Sequence, residues 1–151
     1  MSIYDVFSGG SKPFDKEQWA AQKQAQRKEA YELIDNTCSE MMISGDSFRQ
    51  YLDVQGRFDR YSVNNAILVS AQMPEATQLK EKAAWKQSRV YVNKDAQKVV
   101  ILEPSKEYTR EDGSKAVGYN AKEVYDISET SAKDRVQILL RGVYGKLPLR
   151  R

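Results

Sequence analysis

One short run, Tyr61 to Thr77, constrains the fold more than any other. It reads YSVNNAILVSAQMPEAT and holds a helix start, an apolar helix, a helix stop and the lead into a strand. Ser62 can cap the helix, and Asn65 stands three residues on, where a side chain can reach back toward the cap. Ala66, Ile67, Val69, Ala71 and Met73 make the helix apolar on nearly all sides, which predicts a central rather than a surface helix. Pro74 forbids continuation and pushes Met73 toward extended geometry. That leaves Asn64, Asn65, Ser70 and Gln72 as either caps and core hydrogen bonds or a binding face.

The 151 residues suit one domain with a real core. Charged residues at 30% and hydrophobic ones at 40% fit a soluble globular chain, and no apolar run nears the roughly 18 residues of a membrane span. The N-terminal MSIYDVFSGG lacks a secretory pattern, and the lone Cys38 reads as a small core hydrophobe. A cytoplasmic protein without membrane contact is expected. Histidine is absent, which removes HExxH zinc sites, Ser-His-Asp and Cys-His nucleophiles and Cys/His zinc modules together. No close carboxylate pair and no phosphate-binding glycine loop is evident, so neither enzymatic activity nor a cofactor is expected. The net charge of +3 permits a polyanionic partner without demanding one.

Before the central helix, residues 1–14 read as a flexible arm and 16–43 as a long helix capped by Asp15, with Trp19, Ala30, Tyr31, Ile34, Cys38, Met41 and Met42 as its apolar spine. Gly45 is expected to close it in a left-handed conformation. A second helix, capped by Asp46 or Ser47, should run to about Phe58, with Phe48, Tyr51, Leu52 and Gln55 on one face. After Pro74 the pattern predicts a short strand at 76–79, a short helix at 80–88 around Trp85, and strands at 89–92 and 99–102, the latter stopped by Pro104. A hairpin turn at Glu111-Asp112-Gly113-Ser114 follows, with a return strand to Ile127 bulged near Gly118 and Asn120. A last helix at about 132–144 and a basic tail at 146–151 complete the chain. The predicted class is α+β: N-terminal helices packed on a small antiparallel sheet, closed by a C-terminal helix, all in one domain at 15–145.

The pattern Phe58, Tyr61-Ser62, Asn65, Leu68, Gln72-Met73-Pro74, Ala76-Thr77 resembles the N-terminal domain of ArdC-type antirestriction proteins, related to LtrC-like domains of conjugative elements. Trp85, Ile101-Leu102-Glu103-Pro104 and Tyr125-Asp126-Ile127-Ser128-Glu129-Thr130 extend the likeness in the same order. The resemblance implies a non-sequence-specific single-stranded-DNA-binding domain of a bacterial mobile element, with a part in antirestriction or conjugation. Fuller members add a zinc metallopeptidase-like domain, whose HExxH this histidine-free sequence does not contain. Between Val92 and Lys98 the family's basic, glycine-containing turn is replaced by a glycine-free run with an acid at Asp95.

Single-strand binding needs cations for phosphates and flat side chains for bases. Lys80, Lys82, Trp85, Lys86, Arg89, Tyr91, Lys94 and Lys98 interleave both. Arg57, Arg60 and Tyr61 stand at the entrance of the central helix, where a helix N-terminus favours phosphate. The candidate DNA-binding set is therefore Arg57, Arg60, Tyr61, Asn64, Asn65, Gln72, Lys82, Trp85, Lys86, Arg89 and Lys98. Trp85 and Gln72 each fit two roles, core or ligand-facing. Tyr108, Tyr119 and Tyr125 offer a stacking platform or ordinary strand positions. The alternative to DNA is a protein-interaction module of a mobile element.

Overall fold

In the computed structural model, which describes residues 13–133, three helices and a short fourth surround a three-stranded antiparallel sheet. The elements are α1 (Lys16–Ile43), α2 (Gly45–Arg57), α3 (Val63–Gln72), β1 (Leu79–Lys80), α4 (Lys82–Gln87), β2 (Val99–Thr109) and β3 (Lys115–Asp126), then a single 3-10 turn, Ile127–Glu129. The α+β class is as expected, and the sheet order is β1-β3-β2. The predicted closing helix and basic tail lie outside the described residues, as does the arm up to Lys12. No helix among the described residues is long and apolar enough to cross a membrane.

The central helix α3 lies against the free edge of β2 and forms part of both core layers. Ala66, Val69 and Met73 join Val54 and Phe58 of the α2 region with Val99, Ile101 and Val124. Ile67 and Leu68 join Ala30 and Ile34 of α1 with Leu102. Alternate residues of β2 thus enter opposite layers, as the two-residue period of a strand requires, and α3 is apolar all round because it borders both. Between the layers stand its two amides. Asn65 Nδ2 donates to the Leu102 carbonyl at 2.8 Å and its Oδ1 accepts from the Leu102 N–H at 2.8 Å. Gln72 Nε2 donates to the Val100 carbonyl at 2.8 Å and its Oε1 accepts from the Val100 N–H at 2.9 Å. Each side chain copies what a neighbouring strand would present. Two helical turns span about 10 Å and two strand residues about 6.6 Å; the longer Gln72 leans toward the helix N-terminus and takes up the difference.

Several boundaries differ from the sequence reading. Ser44, not Gly45, ends α1: it is extended, its N–H donates to the Glu40 carbonyl, and its hydroxyl caps α2 through Ser47 N. One residue serves both helices, so Gly45 is the first residue of α2 and Asp46 and Ser47 lie inside it. On α2 the buried line is Tyr51, Val54 and Phe58, with Val54 fully buried and Phe48 and Leu52 half exposed. Along α1, Trp19, Tyr31 and Met42 are exposed rather than part of a spine, and the buried residues are Ala30, Ile34 and Thr37. The early strand contains only Leu79–Lys80, paired with Tyr125 and Asp126.

Pro104 does not stop β2. Its absent N–H would share the outward side of Val100 and Leu102, away from β3, so no ladder bond is lost. The irregularity lies in β2, between Pro104 and Glu107, rather than in the return strand. Gly118 stands opposite, where an added Cβ would come within 3.0 Å of Ser105 Oγ and the serine side chain would have to move aside. The hairpin turn is as read, with Gly113 at φ 82°. Residues 89–92 form no strand beyond one bridge, Val92 to Thr130.

If the amides of α3 hold the β2 edge, Asn65→Ala and Gln72→Ala should each lower stability by about 2–6 kcal/mol, since each leaves two backbone groups unpaired at about 1–3 kcal/mol apiece. Asn65→Asp should also destabilise, because a carboxylate cannot donate to the Leu102 carbonyl. Unfolding free energies from urea titration within about 0.5 kcal/mol of wild type, a difference typical of ordinary surface substitutions, would sink the idea.

Candidate nucleic-acid interface

The entrance to α3 is a tightly bonded turn. Tyr51 donates its hydroxyl to Gln55 Oε1 at 3.0 Å, and Gln55 Nε2 donates to the carbonyls of Phe58 and Tyr61, each at 3.1 Å. The rings of Phe58 and Tyr61 pack in a tilted arrangement, with centroids 4.9 Å apart. Ser62 caps α3 by accepting from Asn65 N at 3.2 Å. Around this turn Arg60 and Asn64 are exposed. Arg57 has its guanidinium turned back: Nε donates to the Ala76 carbonyl at 3.1 Å and Nη2 to that of Pro74. It therefore ties the end of α2 to the segment that leaves α3.

A cleft of about 470 Å³ opens beside Tyr61, between α4 and the sheet, lined also by Lys80, Glu81, Ile101 and Lys122. Lys122 pairs there with Glu81 and, at 3.0 Å, with Glu103. The Glu81 hydrogen bond, reinforced by Glu103 against partial burial, raises the lysine's pKa. Burial raises the Tyr61 hydroxyl, against the opposing pull of Lys122. Two cations, Lys80 and Lys122, thus meet two carboxylates, and the cleft has no positive excess. Lys122 is a residue that sequence reasoning missed; only its place opposite Ile101 reveals it.

Trp85 takes the core role. It is 2% exposed, and its indole N–H donates to the Tyr125 carbonyl at 2.9 Å. Lys80 Nζ lies 4.9 Å from its ring centroid, a cation–π contact. Gln72 and Asn65 likewise have both ends of their amides engaged by β2. Lys98 pairs with Glu123 at 2.8 Å, and Gln26 donates to the same carboxylate at 2.9 Å. The hydrogen bonds of Lys98 and Gln26, with a contribution from nearby Lys23, hold Glu123 below the usual carboxylate range. Tyr108 and Tyr119 build no shared platform: Tyr108 pairs with Ala116, three residues from Tyr119, so the two rings lie on opposite faces.

What stays available is the outer side of α4. Lys82, Lys86 and Arg89 are exposed and take part in no ion pair among the described residues. Lys82 and Lys86 are one turn apart, and Arg89 follows the helix end. Here the expected strand gives way to a Schellman cap. Val90 N donates to the Trp85 carbonyl at 2.9 Å and Arg89 N to that of Lys86 at 3.0 Å. Val90 packs onto Trp85, and Arg89 adopts φ 58°, the left-handed conformation usually left to glycine. Tyr91 follows, 60% exposed.

Asp126 locks this region to the rest. It is 2% exposed. Its Oδ1 accepts from Thr77 N at 2.9 Å and Gln78 N at 3.0 Å, and its Oδ2 from Ser128 N at 3.1 Å. Burial opposes ionisation, but the Ser128 hydroxyl and these N–H groups outweigh it and hold the carboxyl below its ordinary range. Segments that carry the sequence resemblance, Ala76-Thr77 and Tyr125 to Ser128, meet at this carboxylate. No cluster of three or more metal-ligating side chains exists among the described residues.

A second surface, absent from the sequence reading, lies between the first half of α1 and the β2–β3 hairpin. It is a trough lined by Trp19, Lys23, Gln24, Arg27, Tyr31 and Tyr119. The signal for it was the spacing of Trp19, Lys23 and Arg27 at i, i+4 and i+8, which puts them on one face. Comparison with protein-family models, with curated proteins and with solved structures finds no match.

Asp126→Asn should cost about 2 kcal/mol near neutral pH, the scale of hydrogen bonds to a charged group. Because the folded-state carboxyl titrates below the unfolded value of about 3.9, its stabilisation is complete above that value and fades as pH falls through the folded-state pKa. Urea midpoints of wild type and variant should therefore converge below about pH 4. A gap that stays constant into strong acid would contradict the role given to this carboxylate.

Proposed function

We propose that this domain binds single-stranded DNA without catalysing a reaction, and with little sequence preference. The observation that carries the reading is the outer side of α4, where Lys82, Lys86 and Arg89 stand exposed and without ion pairs among the described residues while Trp85 anchors the helix beneath them. Cations held on a rigid element, next to the exposed ring of Tyr91, combine phosphate attraction with a stacking surface. Arg89 adds a physical argument. The helix cap requires a left-handed residue here, which costs a non-glycine residue roughly 1–2 kcal/mol, and the residue that fills it is an exposed cation rather than glycine. The likeness to ArdC-type domains supports the same reading and points to a mobile genetic element, with antirestriction as the process to test. Asn65, Gln72, Trp85 and Arg57 contribute by holding the scaffold, and Lys98 is the weakest of the candidate contacts because Glu123 already pairs with it.

One observation favours a different reading. The α1–α2 corner exposes Met42 at 85% and Ile43 at 89%, with Phe48 and Leu52 half exposed. Apolar side chains so placed suit a protein partner, and a module that recruits one would need no DNA contact.

Fluorescence anisotropy with a labelled oligothymidylate separates the two. Binding should weaken steadily between about 50 and 200 mM salt, with each phosphate contact adding about −0.7 to the logarithmic slope. Arg89→Gly should raise the thermal midpoint by relieving the left-handed backbone and yet weaken binding several-fold, with a slope reduced by about 0.7. No binding at low salt, or binding indifferent to salt, would overturn the DNA reading; a stable protein complex isolated by the same domain would then favour the alternative.

A further inference from the structure

Resting on that reading, we propose that the single strand lies in the trough between α1 and the β2–β3 hairpin, with bases stacked on Trp19 and Tyr119 and phosphates held by Lys23 and Arg27. Three neighbouring hollows that share lining residues make it. One of about 470 Å³ runs from Tyr31 and Tyr119 to Gln24 and Arg27. Gln24 and Arg27 also line the next, of about 640 Å³, which reaches Trp19 and Lys23. Lys23 in turn lines a third, of about 350 Å³, which ends at Lys82 on α4. The path therefore starts at Lys82 of α4, crosses β3 at Ala121 and follows α1.

Its chemistry fits a polyanion with flat groups. Trp19 is 50% exposed, Tyr31 40% and Tyr119 45%, so all three rings have a face open to a base. Lys23 and Arg27 take part in no ion pair among the described residues. Three acids line the path: Glu123 pairs with Lys98 at 2.8 Å, and Glu81 and Glu103 share Lys122. Positive charge is thus in excess on the first half of α1, where Lys16, Lys23, Arg27 and Lys28 face only Glu17 before Glu29, whereas it balances in the cleft beside Tyr61. From Trp19 to Tyr31 the helix extends about 18 Å, room for about five nucleotides at a stacked spacing of about 3.4 Å. Sequence-tolerant binding follows, because every base offers a face to an aromatic ring.

The two tryptophans make a direct test, since Trp85 is buried and Trp19 is not. Titrating the full chain with unlabelled oligothymidylate should quench tryptophan emission, and Trp19→Phe should abolish the quenching while leaving the circular-dichroism melt unchanged. A Lys23→Gln, Arg27→Gln double variant should bind about tenfold more weakly at moderate salt, with a logarithmic slope smaller in magnitude by about 1.4, the share of two phosphates. Unquenched emission in a wild-type protein that binds by anisotropy would overturn the trough while leaving DNA binding intact. So would full affinity in the double variant together with lost affinity in a Lys82→Gln, Lys86→Gln variant. A wild-type protein that binds no oligonucleotide would overturn the trough and the proposed function together.

Discussion

Two side-chain amides on one helix decide how this molecule is put together. β2 is an edge strand, and an edge exposes N–H and C=O groups that either pair or stay solvated. Asn65 and Gln72 pair them at Leu102 and Val100, so a helix takes the place of a fourth strand. Once α3 borders the sheet in this way, its remaining surface must face both layers, which is why Ala66, Leu68 and Val69 are fully buried. α2 and the Phe58–Tyr61 turn then cover one layer, and α1 covers the other. The amides also set register: a slip of β2 by one residue would present its inward-directed groups to α3 and leave both amides unpaired.

This arrangement determines where a ligand has room. The polar residues at the heart of the molecule are engaged by backbone, and among the described residues no buried side-chain nitrogen or oxygen lacks a partner. Arg57, Gln55 and Asp126 do similar work at the turns, each satisfying two or more backbone groups. The cations near the sheet, Lys98 and Lys122, are neutralised by carboxylates. Among the described residues, positive charge without an ion-pair partner is left on the periphery, on α4 with its cap residue Arg89 and on the first half of α1. A polyanion would meet the scaffold along its rim rather than at the entrance of the central helix.

Much of this was legible in the sequence. The span of α1, the extent of α3, its stop at Pro74, the hairpin turn at Gly113 and the α+β class all follow from local chemistry that tertiary packing does not override. What could not be read depends on partners distant in sequence. Gln72 and Asn65 are ambiguous until β2 stands beside them, 28 and 37 residues away. Pro104 reads as a stop unless its strand is known to be an edge. Arg89 to Val92 reads as a strand because β-branched residues favour one, yet Val90 gains more by closing over Trp85. Trp19 and Tyr31 count as apolar in a helical pattern, but nothing in the spacing tells that the hairpin stops short of covering them. The candidate site suffered most, since a list of basic and aromatic residues cannot show which cations already have a carboxylate.

The central claim is that the amides of α3 belong to the fold and the rim belongs to the ligand. A single two-dimensional NMR titration of the isotope-labelled protein with oligothymidylate tests it, because the side-chain N–H groups of Asn65, Gln72, Trp19 and Trp85 are all observable in one spectrum. The account predicts that the Trp19 indole signal moves through the titration while those of Asn65, Gln72 and Trp85 stay in place. Movement of the Asn65 and Gln72 amides with a stationary Trp19 would contradict it.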